Sequence, residues 1–120
     1  MHELSIAEDI LEMVNQNAPI EELQNVRNVK VKVGDMSGVV ADSLEFCFQA
    51  ITSETKLKNA RLLIASIPFV VSCNSCKSNF TNSTGIRICP NCSGSNTMVI
   101  SGLELEVTEI ELDTEVQEAA

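Results

Sequence analysis

Cys73, Cys76, Cys89 and Cys92 are spaced C-x2-C-x12-C-x2-C, and this pattern carries most of the chain's capacity for chemistry. Each two-residue hook curls its backbone so that two sulfurs face one point, where amide N–H groups can support thiolate charge. Two hooks supply the four thiolates that close a tetrahedral structural Zn²⁺ site. A closed site leaves no open position for water, so hydrolysis has no footing there. A matched pair of hooks also argues against the redox reading that a single CxxC invites. Iron suits four thiolates as well, so these residues alone leave open an electron carrier of rubredoxin type or a zinc-ribbon interaction module.

The second group of donors lies at the start of the chain. His2 is the single histidine and follows Met1. A bulky second residue opposes removal of the first methionine, so the expected mature chain begins with a free amine before His2. Amine, His2 amide nitrogen and imidazole close fused chelate rings, and the Glu3 amide or carboxylate could complete a square plane. Such nitrogen/oxygen sets favour Ni²⁺ or Cu²⁺ over Zn²⁺. A histidine at position 2 is otherwise an ordinary solvated terminal residue. One histidine at the terminus excludes a His-based dyad or triad, and no Gly-Lys phosphate loop is present. The expectation is a protein that is not an enzyme.

Eight basic against seventeen acidic residues give a net charge of −9, which repels nucleic acid. The hook segment Cys73–Cys92 holds only Lys77 and Arg87, with no aromatic platform for bases beyond Phe80. Acidic residues crowd the N-terminus without a basic or apolar leader, and no apolar run could span a bilayer. Five cysteines without a secretion signal point to a reducing cytoplasm.

These donors need elements to hold them. Ile6, Ile10, Met13 and Val14 form one stripe of a helix over about Ser5–Asn17, with Ser5 and Glu8 as a capping box after a short free stub. Pro19 ends it. Val29, Val31 and Val33 alternate in a half-buried strand over Val26–Val33, and Gly34–Val40 is a loop. Asp42 and Glu45 read as a second cap pair, ahead of a helix whose stripe is Leu44, Cys47, Phe48 and Ile51. Cys47 reads there as a small buried hydrophobe. Arg61–Ile67 and Phe69–Ser72 are strand-like on either side of Pro68. Thr97–Ile100 is a short strand and Leu103–Leu112 a long one, with Leu103, Leu105 and Val107 alternating and a bulge near Thr108 and Glu109. The expected fold is α/β: a small mixed sheet with two helices on one face and Val26–Val33 parallel to Arg61–Ile67, plus an inserted zinc-ribbon-like four-cysteine lobe. The expected division is 1–67 with 103–112 as one domain, 68–102 as the zinc domain, and 113–120 as a disordered acidic tail.

Met1-His2-Glu3-Leu4-Ser5-Ile6, Gly34-Asp35-Met36-Ser37-Gly38-Val39, the paired hooks with Cys89-Pro90-Asn91-Cys92, and Ser101-Gly102-Leu103-Glu104-Leu105 together resemble the HypA/HybF family of hydrogenase maturation factors. The resemblance spans nearly the whole chain. It implies a nickel metallochaperone for [NiFe]-hydrogenase assembly, with His2 as primary nickel ligand, Met1 and Glu3 beside it, and the four hook cysteines on zinc. It implies a HypB-type GTPase partner, handover of Ni²⁺ toward the hydrogenase large subunit, and urease with its accessory proteins as further clients of some members. Two positions depart from the family pattern. Val39 and Val40 stand where an acidic residue is common; Asp42 either replaces it or only caps the following helix, and capping preference favours the cap. In the second hook Ser93, not glycine, directly follows the cysteine.

Overall fold

The computed structural model describes residues 2–113; Met1 and residues 114–120 of the expected tail lie outside them. Helix α1 runs His2–Asn17 and buries Ile6, Ala7, Ile10 and Val14. Met13, expected on that stripe, is 42% exposed. No free stub separates His2 from the helix, and Ser5 sits inside α1 rather than capping it. Capping preference is local, and here it yields to three further helical residues, with Glu3 in the first turn complementing the positive end of the dipole. The Asn17 side-chain amide donates to Met13 O at 2.7 Å and closes the last turn. Pro19 then leads into a 3-10 turn over Ile20–Asn25.

Strand β1 (Val26–Gly34) is the centre of a three-stranded sheet, between β2 (Arg61–Ile67) and β6 (Leu105–Leu112). Val26, Val29, Val31 and Val33 are buried. Polar pairs step in opposite directions along β1 and β6: Arg27 with Asp113 at 2.9 Å, Asn28 with Glu111 at 2.9 Å, Lys30 with Glu111 at 3.2 Å and with Glu109 at 3.7 Å. The two strands are therefore antiparallel. The Asp35 N–H donates to Ile67 O at 2.8 Å, so β1 and β2 end side by side, as strands running the same way must. Leu103, expected to open this strand, lies before it, and both Leu103 and Leu105 are exposed. In β6 Val107, Ile110, Glu111 and Leu112 are half-buried, and the odd spacing from Val107 to Ile110 departs from a strict two-residue period.

Helix α2 (Ala41–Thr52) packs on α1 and buries Leu44, Phe48 and Thr52. The Thr52 hydroxyl donates to Phe48 O at 2.8 Å, which satisfies a polar group inside the core. Cys47 is half-buried, not enclosed, because it lies at the margin of the buried stripe. Asp42 is not the cap: Val40 holds that position with no side-chain capping bond, and Asp42 lies in the first turn.

A second three-stranded sheet has the order β4-β3-β5, where β3 is Val70–Cys73, β4 is Asn79–Phe80 and β5 is Thr97–Ser101. Both pairings are antiparallel, with Val71 opposite Phe80 on one side and Val99 on the other. The chain divides into two compact units, one of Met1–Val31, Val40–Ala65 and Val107–Ala120, the other of Lys32–Val39 and Ser66–Glu106. In the second unit Lys32, Lys77 and Arg87 cancel Asp35, Glu104 and Glu106, so the net charge of −9 belongs to the first.

Glycine is required where the second unit brings backbones together. Gly102 has φ +111°, and a Cβ there would strike the Phe69 backbone. A Cβ on Gly34 would collide with the Gly102 carbonyl. The Met36 N–H donates to Gly102 O at 2.8 Å and the Gly34 N–H to Glu104 O at 2.7 Å. The Gly34–Val39 and Ser101–Leu105 stretches thus meet main chain to main chain, a proximity that side chains would forbid.

Candidate metal centres

The sulfurs of Cys73, Cys76, Cys89 and Cys92 all lie within 4.8 Å of one another. Cys73 Sγ and Cys92 Sγ are 3.6 Å apart, as are Cys76 Sγ and Cys89 Sγ. A tetrahedral ion with arms of about 2.3 Å spaces its ligands about 3.8 Å apart, so the donor set fits such an ion with little adjustment.

The two hooks fold identically in their backbone bonding. In the first, the Cys73 N–H donates to Ser78 O and Cys73 O accepts from Lys77 N–H, at 2.8 and 3.0 Å. In the second, the Cys89 N–H donates to Gly94 O and Cys89 O accepts from Ser93 N–H, at 2.9 and 2.8 Å. Each turn puts the residue after its second cysteine into the left-handed region, Lys77 at φ 65° and Ser93 at φ 61°. That is the position where glycine is usual, and the strain falls on Ser93 rather than on Gly94.

Neighbouring donors set the proton affinities of the thiols. The Ser78 hydroxyl, 3.0 Å from Cys76 Sγ, leads in lowering Cys76 to about 6, followed by the Asn91 amide and the Ser78 N–H. Burial works against the Cys89 thiolate, but N–H groups of Cys92 and Asn91 and the Ser78 hydroxyl outweigh it and hold Cys89 below the usual thiol range. The Gly94 N–H favours the Cys92 thiolate. Against it the Cys73 sulfur, burial and the sulfurs of Cys76 and Cys89 push Cys92 up to about 12. Four thiolates cannot crowd together without a cation, and a bound ion would displace the remaining protons. Ser78 and Asn91 escape a reading by motif. A hydroxyl two residues past a hook and an amide inside one gain meaning only once the sulfurs have converged.

At the other candidate site, His2 is exposed at the start of α1. The Glu3 carboxylate accepts a hydrogen bond from the Val40 N–H at 2.9 Å, a partner 37 residues away. That bond is the chief cause that draws Glu3 below the usual carboxylate range. Glu3 also lines a cleft of about 310 Å³ with Leu4, Asp42, Ser43, Phe46 and Cys47, in which Phe46 is 73% exposed. His2 and Glu3 are neighbours on the first turn. Cys47 lines this cleft and is not one of the four clustered cysteines. Among the described residues no helix is long and apolar enough to cross a membrane.

Residues 1–112 match a family model described as "Hydrogenase/urease nickel incorporation, metallochaperone, hypA". A hydrogenase maturation factor HypA from Geotalea uraniireducens is 42% identical over 113 residues, covering 94% of this chain and 100% of that protein. One of the same name from Dehalococcoides mccartyi is 35% identical over 117 residues, covering 98% of each. In fold the chain is similar to the solution structure of the Ni metallochaperone HypA from Helicobacter pylori, with TM-score 0.62, 20% identity, and 92% and 97% of the two chains covered. A second solution structure of a HypA protein gives TM-score 0.66 at 22% identity, covering 93% and 96%.

Proposed function

The chain belongs to the HypA family of metallochaperones for nickel incorporation into hydrogenase and urease, and on that premise we propose that it carries Ni²⁺ at Met1, His2 and Glu3. The family is one of metallochaperones, and the protein is not an enzyme. Its four-cysteine centre holds Zn²⁺ in a structural role. The nickel-binding part is 1–67 with 103–112 and the zinc-binding part 68–102. Delivery runs in the cytoplasm with a HypB-type GTPase, toward the [NiFe]-hydrogenase large subunit and, as the family description allows, toward urease accessory proteins.

One observation carries the nickel reading: α1 begins at His2. The N–H groups of a helix's first turn have no intrahelical acceptor. Ni²⁺ can therefore replace the amide protons of His2 and Glu3 without breaking a helical hydrogen bond. The exposed imidazole completes the set, and exposure lets a partner take the ion. Protonation of amine and imidazole in acid releases it. For zinc, the support is the convergence of four sulfurs at tetrahedral spacing.

Calorimetric titration of Ni²⁺ into zinc-loaded protein tests the reading, using a native N-terminus against the same chain extended by a few residues before Met1. The native form binds one ion tightly; the extended form and His2→Ala lose that binding while keeping their helical circular dichroism. Equal binding by native and extended forms would place nickel elsewhere and overturn the assignment.

A further inference from the structure

We propose that Cys92 is the exchange ligand of the four-cysteine centre: its sulfur lets go first when a competing thiolate takes the ion, while Cys73, Cys76 and Cys89 hold on. This rests on the zinc reading above.

The four ligands are not equally enclosed. Cys73 is 0% and Cys89 1% exposed, Cys76 is half-buried and Cys92 is exposed. An incoming donor approaches from the open side, and that side is at Cys92. Gly94 keeps it open, since a Cβ at that position would lie 3.2 Å from Cys92 Sγ. Nor are the ligands equally supported. The Ser78 hydroxyl lies 3.0 Å from Cys76 Sγ and 3.8 Å from Cys89 Sγ, and the Asn91 amide donates to Cys76 Sγ at 3.6 Å. N–H groups of Cys92 and Asn91 add to Cys89. Cys92 takes the Gly94 N–H, and among the described residues no hydroxyl or amide side chain bonds its sulfur. To turn outward Cys76 must break with Ser78 and Asn91, and bonds to a thiolate are of the strong, charge-assisted kind. Cys92 leaves behind main-chain support alone.

The chain around the two hooks differs in the same sense. Cys73 ends β3, β4 opens at Asn79, and Ser72 pairs with Asn79, so the sheet clamps the first hook at both ends. The second hook lies outside any strand, and β5 begins only at Thr97. Burial fixes Cys89 there, which leaves Cys92 as the ligand that turns outward at the expense of few neighbours. The left-handed backbone angle does not separate the hooks, because Lys77 and Ser93 share it. Enclosure, side-chain support and strand anchoring all do, and each singles out the same sulfur.

Timed alkylation of the zinc-loaded, reduced, full-length protein by iodoacetamide, with fragment-ion mapping of every cysteine, reads the order. A released sulfur displaces iodide and is capped, so the rate at each cysteine reports how readily that sulfur lets go. Cys92 is expected to label at least about tenfold faster than Cys73, Cys76 or Cys89, the scale of one hydrogen bond to a charged group. Cys47, in the other unit and outside the cluster, serves as internal standard and labels at one rate with or without Zn²⁺. Ser78→Ala removes the hydroxyl from Cys76 and raises Cys76 labelling by about the same factor, with Cys92 unchanged. The proposal is overturned if Cys76 leads or all four label together in the wild type. It is equally overturned if Ser78→Ala leaves the Cys76 rate where it was, because support then does not set the order. Should Ser78→Ala fail to retain the ion, the wild-type order decides alone. Failure of Zn²⁺ to slow any of the four relative to metal-free protein would sink the zinc assignment itself, a distinct outcome.

Discussion

Ser93 holds a backbone angle that its side chain opposes, and the opposition has a measurable size. A non-glycine residue in the left-handed region costs about 1–2 kcal/mol. Ser93→Gly should stabilise the metal-loaded protein by about 1 kcal/mol once the greater freedom of unfolded glycine is counted, seen as a higher melting temperature and slower loss of zinc to a chelator. Ser93→Ala should bring no gain; a gain equal to that of glycine would show that the hook is not strained there. This position stood out in the sequence only through the family resemblance, in which glycine usually follows that cysteine. The four clustered cysteines were legible because a tetrahedral thiolate site demands such spacing. The helpers were not. Ser78 and Asn91 look like any polar loop residues until three-dimensional proximity gives them a thiolate to support.

Periodicity located the elements and misjudged how they begin. The alternation of Val29, Val31 and Val33 and the stripes of both helices reflect burial, which the chain must satisfy along its whole length. Helix starts obey a weaker rule. Ser5 with Glu8 and Asp42 with Glu45 both look like capping pairs, yet α1 begins at His2 and α2 is capped at Val40. The bond that replaces a local cap joins Glu3 to Val40, a separation no local window spans. The β1–β6 pairing shows a second long-range device. The Asn28 amide and then Lys30 draw Glu111 below the usual carboxylate range, while Glu111 and then Glu109 raise Lys30. A depressed carboxyl contributes stability that is present above its unfolded value and lost as pH falls through the folded one. A raised lysine contributes stability present below its unfolded value and lost as pH rises through the folded one. The ladder is therefore fully formed between those limits. Glu111→Gln should flatten the acid limb of the urea-midpoint profile against pH, and added salt should narrow the gap between the two proteins. Parallel profiles would mean that the ladder does not couple to folding.

For the whole molecule, both helices fall in the unit without the four clustered cysteines. Binding energy at a structural zinc site is folding energy. Stripping the metal with a strong chelator under reducing conditions should therefore leave the helical ellipticity nearly intact. Meanwhile the methyl resonances of Val71 and Val99, paired across β3 and β5, should lose their dispersion. Simultaneous loss of both signals would show that the two units fold as one. The class of fold was readable beforehand because helical and strand periods alternate along the chain, whereas the approach of Gly34 to Gly102 was not, since glycine announces freedom without naming its neighbour. Charge, finally, is unevenly shared: the unit with the four clustered cysteines is balanced and the unit with His2 carries the whole excess. A cation diffusing nearby feels that excess before it meets any donor atom, and salt weakens the attraction within a Debye length. For the nickel site proposed above, the speed of capture would then be set by acidic side chains spread over many positions, and the time the ion stays by a few nitrogens at one end. Evolution or design can retune either clock without touching the other.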